Sequence, residues 1–226
     1  DATLVTYINE AQRRFAVRSF ILRDATTAEC CRIDLVAGQT TYPVHPAVLS
    51  VMSAQSDNAQ TELARVGHSL FNAYRQPTDR WLDPSGFTER QPGQTVAFST
   101  DEAVNDIDGS SFQQITLRAF PAPTQEMVDA GRFLNLRVVR KPLAPLVPSN
   151  LGAHPEIPED HHLEMLDYAA YLALRIVDDD AGSPVRAQQF AATFEQSVTD
   201  ARKLAMRKMF APEGWGFGRG GFSWGS

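Results

Sequence analysis

The spacing of apolar residues changes twice along the chain, from helical to alternating and back. Leu4, Ile8, Ala11, Phe15 and Leu22 recur near helical spacing, with Tyr7 alongside and Arg13, Arg14 and Arg18 on the other side, which predicts a helix over the first 23 residues. Residues 24–27 interrupt it. From Cys31 the period is two: Cys31, Ile33 and Leu35 alternate with Arg32 and Asp34, and Gly38-Gln39 predicts the turn into a strand over 41–44. Further strands are expected over 47–54, 63–66, 95–99, 114–120 and 133–141, with a brief helix over 69–74 capped by Ser69. In the last two strands Ile115, Leu117 and Ala119, then Leu134, Leu136 and Val138, alternate with polar neighbours, and each run ends at a proline, Pro121 or Pro142. The middle of the chain therefore reads as a sheet or small sandwich with one face toward water. Residues 76–93 are irregular, and Trp81 and Phe87 are expected to pin that stretch to a core.

Five prolines between 142 and 158 favour an extended, semi-rigid spacer. Helical spacing then returns. Over 159–179, Leu163, Leu166, Ala170, Leu174 and Val177 form one stripe and Met165, Tyr168, Leu172 and Ile176 a second, so this helix is expected to be buried on two sides. Gly182 is placed to end it, and Ser183-Pro184 to start a helix running to about 209 on Phe190, Phe194, Val198, Ala201 and Leu204. The fold class expected is α+β. A helical bundle, made of the N-terminal helix and two long C-terminal helices, carries an inserted antiparallel β-sheet or sandwich and an extended Gly/aromatic tail. The divisions fall at 1–26, 27–141, 142–158, 159–210 and 211–226.

The chain has 226 residues and a formal charge of −6, with a pI near 5.4. That balance excludes broad, sequence-independent binding to nucleic acid and a polybasic membrane patch, both of which need a basic surface. No run approaches a membrane-spanning length, and no charged-then-apolar leader opens the sequence. The two cysteines, Cys30 and Cys31, are adjacent; neighbours rarely bridge, so a soluble intracellular product without a disulfide framework is expected.

The charge is unevenly laid out. Between 156 and 180 eight acids, ending in Asp178, Asp179 and Asp180, face Arg175 alone, while between 202 and 219 Arg202, Lys203, Arg207, Lys208 and Arg219 face only Glu213. Either two neighbouring helices attract one another, or subunits stack acidic face to basic face. In the last fifteen residues six glycines alternate with Trp215, Phe217, Phe222 and Trp224. Such a segment loses too much backbone entropy to form a helix or isolated strand, yet its rings are wasteful in water. Two readings stay open: the aromatics and Arg219 dock on another subunit, or the tail packs back on its own helices.

No pattern supplies a reaction centre. Glu159-Asp160-His161-His162 contains one Glu-x-x-His pair, where a di-iron site needs two and further carboxylates. Asp178-Asp179-Asp180 lacks calcium-loop spacing. The tail glycines superficially resemble a phosphate loop but lack its strand and helix, and Gly67-His68-Ser69 is no nucleophile elbow. The reading assigns no catalytic residue, no metal ligand and no cofactor.

Several stretches, in order, resemble bacteriophage head-to-tail adaptor (connector) proteins. They are Tyr7-Ile8-Asn9-Glu10-Ala11-Gln12-Arg13 in the first helix, Ala37-Gly38-Gln39-Thr40-Thr41-Tyr42-Pro43 as a hairpin, and the Trp81-bearing loop. After these come the run from Leu117 ending in Pro121-Ala122-Pro123, then Arg140-Lys141-Pro142, and Ile157-Pro158-Glu159 opening the helix that holds Tyr168-Ala169-Ala170-Tyr171. The resemblance implies a helical bundle with a β insertion, assembled in the host cytoplasm as a homo-oligomeric, dodecameric ring. It would dock on the portal protein at the head-tail interface of the virion, receive the next tail protein and let DNA pass. A net negative monomer suits that passage, since like charge repels phosphate over a Debye length of about 8–10 Å. The rival readings are another tail-structure protein (a nozzle or head-completion factor), a nonviral oligomeric scaffold, and a glycan hydrolase using paired carboxylates.

Overall fold

The computed structural model describes residues 2–57, 62–66, 95, 97–101, 115–150, 152–175 and 183–210. In chain order these form helix α1 (Ala2–Ser19), strand β1 (Arg23–Asp24), the single turn α2 (Ala28–Cys31), and strands β2 (Arg32–Asp34), β3 (Thr41–Pro43), β4 (Val48–Ser56), β5 (Ala64–Arg65), β6 (Ala97–Asp101) and β7 (Thr116–Phe120). Helix α3 (Gln125–Asp129), strand β8 (Phe133–Arg140), a 3₁₀ turn (Glu159–His161), helix α4 (His162–Leu174) and helix α5 (Ser183–Phe210) follow. The expected helix over 69–74, the loop over 76–93 with Trp81 and Phe87, Asp178–Asp180 and the tail from 211 lie outside the described residues.

Two four-stranded sheets form the β region. In the first, β8 is the common partner, pairing antiparallel with β1, β2 and β4. In the second the order is β3-β7-β6-β5, with β5 and β6 parallel. The expected antiparallel sheet or sandwich is thus two sheets, one antiparallel and the other mixed. Gly38, at φ +73, makes the predicted turn, a backbone conformation glycine adopts without steric cost. It does not close a hairpin, however: β2 pairs with β8 and β3 with β7, so the turn carries the chain from one sheet to the other. The alternation places Leu117, Ala119, Leu134, Leu136 and Val138 in one core with Ile33, Tyr42, Val51 and Phe98. The Tyr42 hydroxyl, taken into that core, donates to the Gln39 carbonyl at 2.8 Å.

A second core lies among α1, α4 and α5, built from Ala11, Phe15, Met165, Tyr168, Phe194, Val198 and Ala201. Phe15 meets Phe194 edge-on at 5.9 Å, and Tyr168 lies 4.7 Å from Phe194, centroid to centroid. Here the expected fold class is corrected. The C-terminal part has one long helix, α5 of 28 residues, and not two; α4 has only 13 residues behind its 3₁₀ turn, so the predicted bundle with two long C-terminal helices does not form. Its N-terminal end has no side-chain cap. Helix α4 closes at Leu174, where the Arg175 N–H donates to the Tyr171 carbonyl at 3.1 Å. Helix α1 also stops early, at Ser19, where Phe20 turns left-handed with φ 56.

Candidate functional site

Two features outside the apolar cores organise charge: a part-buried ionic junction between helices and sheet, and the outward faces of α4 and α5. At the junction, Arg140 closes β8. Its Nε donates to Asp24 Oδ2 at 2.7 Å, and its Nη1 donates to Glu156 and, at 3.1 Å, to the Lys141 carbonyl. Asp24 also accepts the Thr26 N–H at 2.9 Å, the Thr27 N–H at 3.1 Å and the Thr27 hydroxyl at 2.7 Å. Glu156 accepts the Leu143 and Ala144 N–H groups at 2.7 and 2.9 Å, so the proline-rich stretch, expected to run extended, turns back on itself. Asn9 of α1 grips it further along, through paired bonds to the Leu146 backbone at 2.9 and 2.8 Å.

Burial pushes the Asp24 carboxyl up, but the Thr26 N–H, the Thr27 hydroxyl and N–H and the Arg140 guanidinium outweigh it and hold Asp24 well below the usual carboxylate range. The balance is the same for Glu156, where burial is overcome by the Ala144 N–H, Arg140 and the Leu143 N–H. Burial pulls Arg140 down and its two carboxylates more than restore it. A junction of this kind fixes geometry more than it adds stability, because desolvating three charges offsets most of their attraction.

Asp24, Cys30 and Cys31 place three potential ligand atoms within 4.8 Å of one another. They suit a cation poorly. Asp24 already carries Arg140, and burial pushes both thiols up, Cys31 to about 12. Asp24 and Glu156 converge on the one Arg140 guanidinium, which with the backbone donors favours their ionised forms.

The outward face of α5 carries Arg202, Lys203 and Arg207 around Thr199 and Met206, lining an open groove of about 470 Å³. Arg202 lies over the Phe20 ring at 5.4 Å, where the left-handed turn ends α1. Lys208 lies on α5 by its backbone, and its side chain falls outside the described residues, as do Asp178, Asp179, Asp180, Trp215, Phe217, Arg219, Phe222 and Trp224. Helix α4 departs from expectation. Met165, Tyr168 and Ala169 are buried, but in the other predicted stripe Leu163 is 78% exposed and Leu166 48%, with Ala170 and Leu174 half-buried, so the N-terminal part of that stripe is open. Glu159 and Asp160 are exposed beside that open stripe, with Glu164 and Asp167 half-buried. The sequence signal for it is the doubling of apolar stripes, which asks for two covers where one chain supplies one.

A sequence model of the family described as SU10 adaptor protein matches residues 1–214. The chain belongs to that family. It is a family of phage head-tail adaptors, structural proteins of the virion's head-tail junction that work against portal and tail proteins. The match takes in both sheets, the ionic junction and all of α5, and stops short of Trp215, Phe217, Arg219, Phe222 and Trp224. No curated protein matches the chain. In the adaptor, no helix among the described residues is long and apolar enough to cross a membrane.

Proposed function

We propose that the chain is a ring-forming adaptor that seats on the portal, receives the next tail protein and surrounds the path of the DNA. The observation that carries this reading is the family match over 1–214. The net charge of −6 supports it, since a bore lined by an acidic protein does not hold phosphate. The segments take separate duties: 1–26 and 159–210 form the helical part, 27–141 the β-rich part, 142–158 the proline-rich connector between them, and 211–226 a docking strap. Trp215, Phe217, Phe222 and Trp224 anchor that strap in pockets of a neighbouring subunit or the portal, with Arg219 between them, and the glycines let the backbone approach closely. The test is electron microscopy of portal rings of the same phage mixed with the full chain and with a truncation at Pro212. A second ring under the portal is expected with the full chain, and loss of docking with retained circular dichroism for the truncation. A truncated chain that docks as well as the full one removes the strap; density elsewhere in the tail would make the chain a nozzle or head-completion factor.

A further inference from the structure

Helix α4 carries more apolar surface than its own chain covers. Its inner stripe packs against α1 and α5, while Leu163 and Leu166 point to solvent from a helix otherwise firmly docked. Charge surrounds this stripe. Glu159 and Asp160, both exposed, precede it, and Asp167, whose carboxyl is pushed up first by burial and then by the neighbouring Glu164, stands one turn on, while Glu164 itself pairs with His161 at 2.6 Å. The outward face of α5 is the complement. Thr199, Arg202, Lys203, Met206 and Arg207 fall at i, i+3, i+4, i+7 and i+8, one helix face with an aliphatic centre and three cations, and Leu204 on its flank is exposed.

We propose that the outward stripe of α4 in one copy packs on the basic face of α5 in the next, as the lateral contact of the assembly. The inference rests on the ring reading above. Complementary charge selects the occupant. The acidic rim of α4 repels nucleic acid, and every copy offers both faces, each on a different helix. A contact that joins two different faces is heterologous, and repeats around a closed ring with each face used once. An apolar centre within a charged rim is also the usual anatomy of a protein interface. Among the described residues Lys203 pairs with Asp200, an exposed contact one helical turn away at 3.0 Å, which a partner's carboxylates can readily replace.

Charge exchange tests this. Lys203→Glu with Arg207→Glu reverses one face; Glu159→Lys with Asp160→Lys reverses the other. Sedimentation velocity, with the chain alone and with portal rings, is expected to show wild type assembling and each reversed variant remaining a monomer. An equimolar mixture of the two variants should assemble again, because alternating copies restore opposite charge at every contact, and so should the four-fold variant. Leu163→Gln with Leu166→Gln, both at exposed positions, should lose assembly at an unchanged melting temperature, which guards against a folding defect at the start of α4. Assembly by each reversed variant equal to wild type, or no recovery in the mixture of folded variants, overturns the lateral contact and leaves the ring reading standing. A wild-type chain that assembles in neither condition overturns the ring reading and this contact with it.

Discussion

Arg140 and Asp24 stand 116 positions apart in sequence and 2.7 Å apart in space, Nε to Oδ2, at the point where the helical part of the chain enters its first sheet. Arg140 also donates to Glu156. One guanidinium thereby ties β1, β8 and the proline-rich stretch together. Arg140→Met leaves two carboxylates without their cation, and removing one partner of such a buried set costs about 3–5 kcal/mol. Urea unfolding of the variant should show that loss. A change under about 1 kcal/mol would mean the charges reach water and the junction is not a closed one.

Acid should weaken the same junction. Asp24 and Glu156 are held below their ordinary range in the folded chain, so the unfolded chain binds more protons as pH falls. Their contribution is complete above about pH 5 and is lost progressively below the unfolded carboxylate values of about 4. Asp167, held above its ordinary range, acts with the opposite sign. Comparing wild type with Glu156→Gln leaves Asp167 common to both and isolates the junction. Unfolding free energy measured from pH 7 to pH 3 should fall less steeply in the variant; equal slopes contradict the assignment.

The thiols should be silent in the native chain. Cys30 and Cys31 are 2% and 3% exposed, and burial pushes Cys31 up to about 12, so little thiolate exists at pH 8. Ellman's reagent should label neither cysteine until denaturant is added. Rapid labelling of the folded protein would place a reactive thiol where the structure has a core one.

The two apolar faces of the helical part should respond differently to mutation. Phe15 is fully buried among His161, Phe194 and their neighbours, and Phe15→Ala should cost about 3–5 kcal/mol in chemical denaturation. Leu163→Gln, at an exposed position of α4, should stay within about 0.5 kcal/mol of wild type. Comparable losses at both sites would mean Leu163 is covered by its own chain.

Where the sequence was readable, burial alone set the pattern. The alternation in β7 and β8 marks strands because each has one face on the core, and Leu134, Leu136 and Val138 are all sealed there. Partners were not readable. The parallel pairing of β5 with β6, and the triple use of β8, join residues far apart in sequence, and period two says nothing about which strand lies alongside. Two short helices were hidden for different reasons. Helix α3 carries a signal, the Thr124 side chain accepting the Met127 N–H at 3.4 Å, the sort of cap a sequence displays. Helix α2 carries little, since the backbone before it is held by Asp24, whose carboxylate accepts the Thr26 and Thr27 N–H groups. The helix expected over 159–179 is longer than α4, which ends at Leu174, because apolar periodicity marks a buried face and not the point where a helix stops. Of the site, the basic face of α5 is legible in the sequence as a charge cluster; the open end of the α4 stripe shows as a stripe but not as open, because periodicity does not distinguish a cover within the chain from one outside it.

The central claim is that this chain is a structural subunit assembled between portal and tail. Native mass spectrometry of the full chain titrated onto intact portal rings tests it most directly. A discrete complex holding a closed complement of copies, with few partial occupancies, is expected. Portal rings that remain bare at saturating chain, with the chain a monomer throughout, would contradict it.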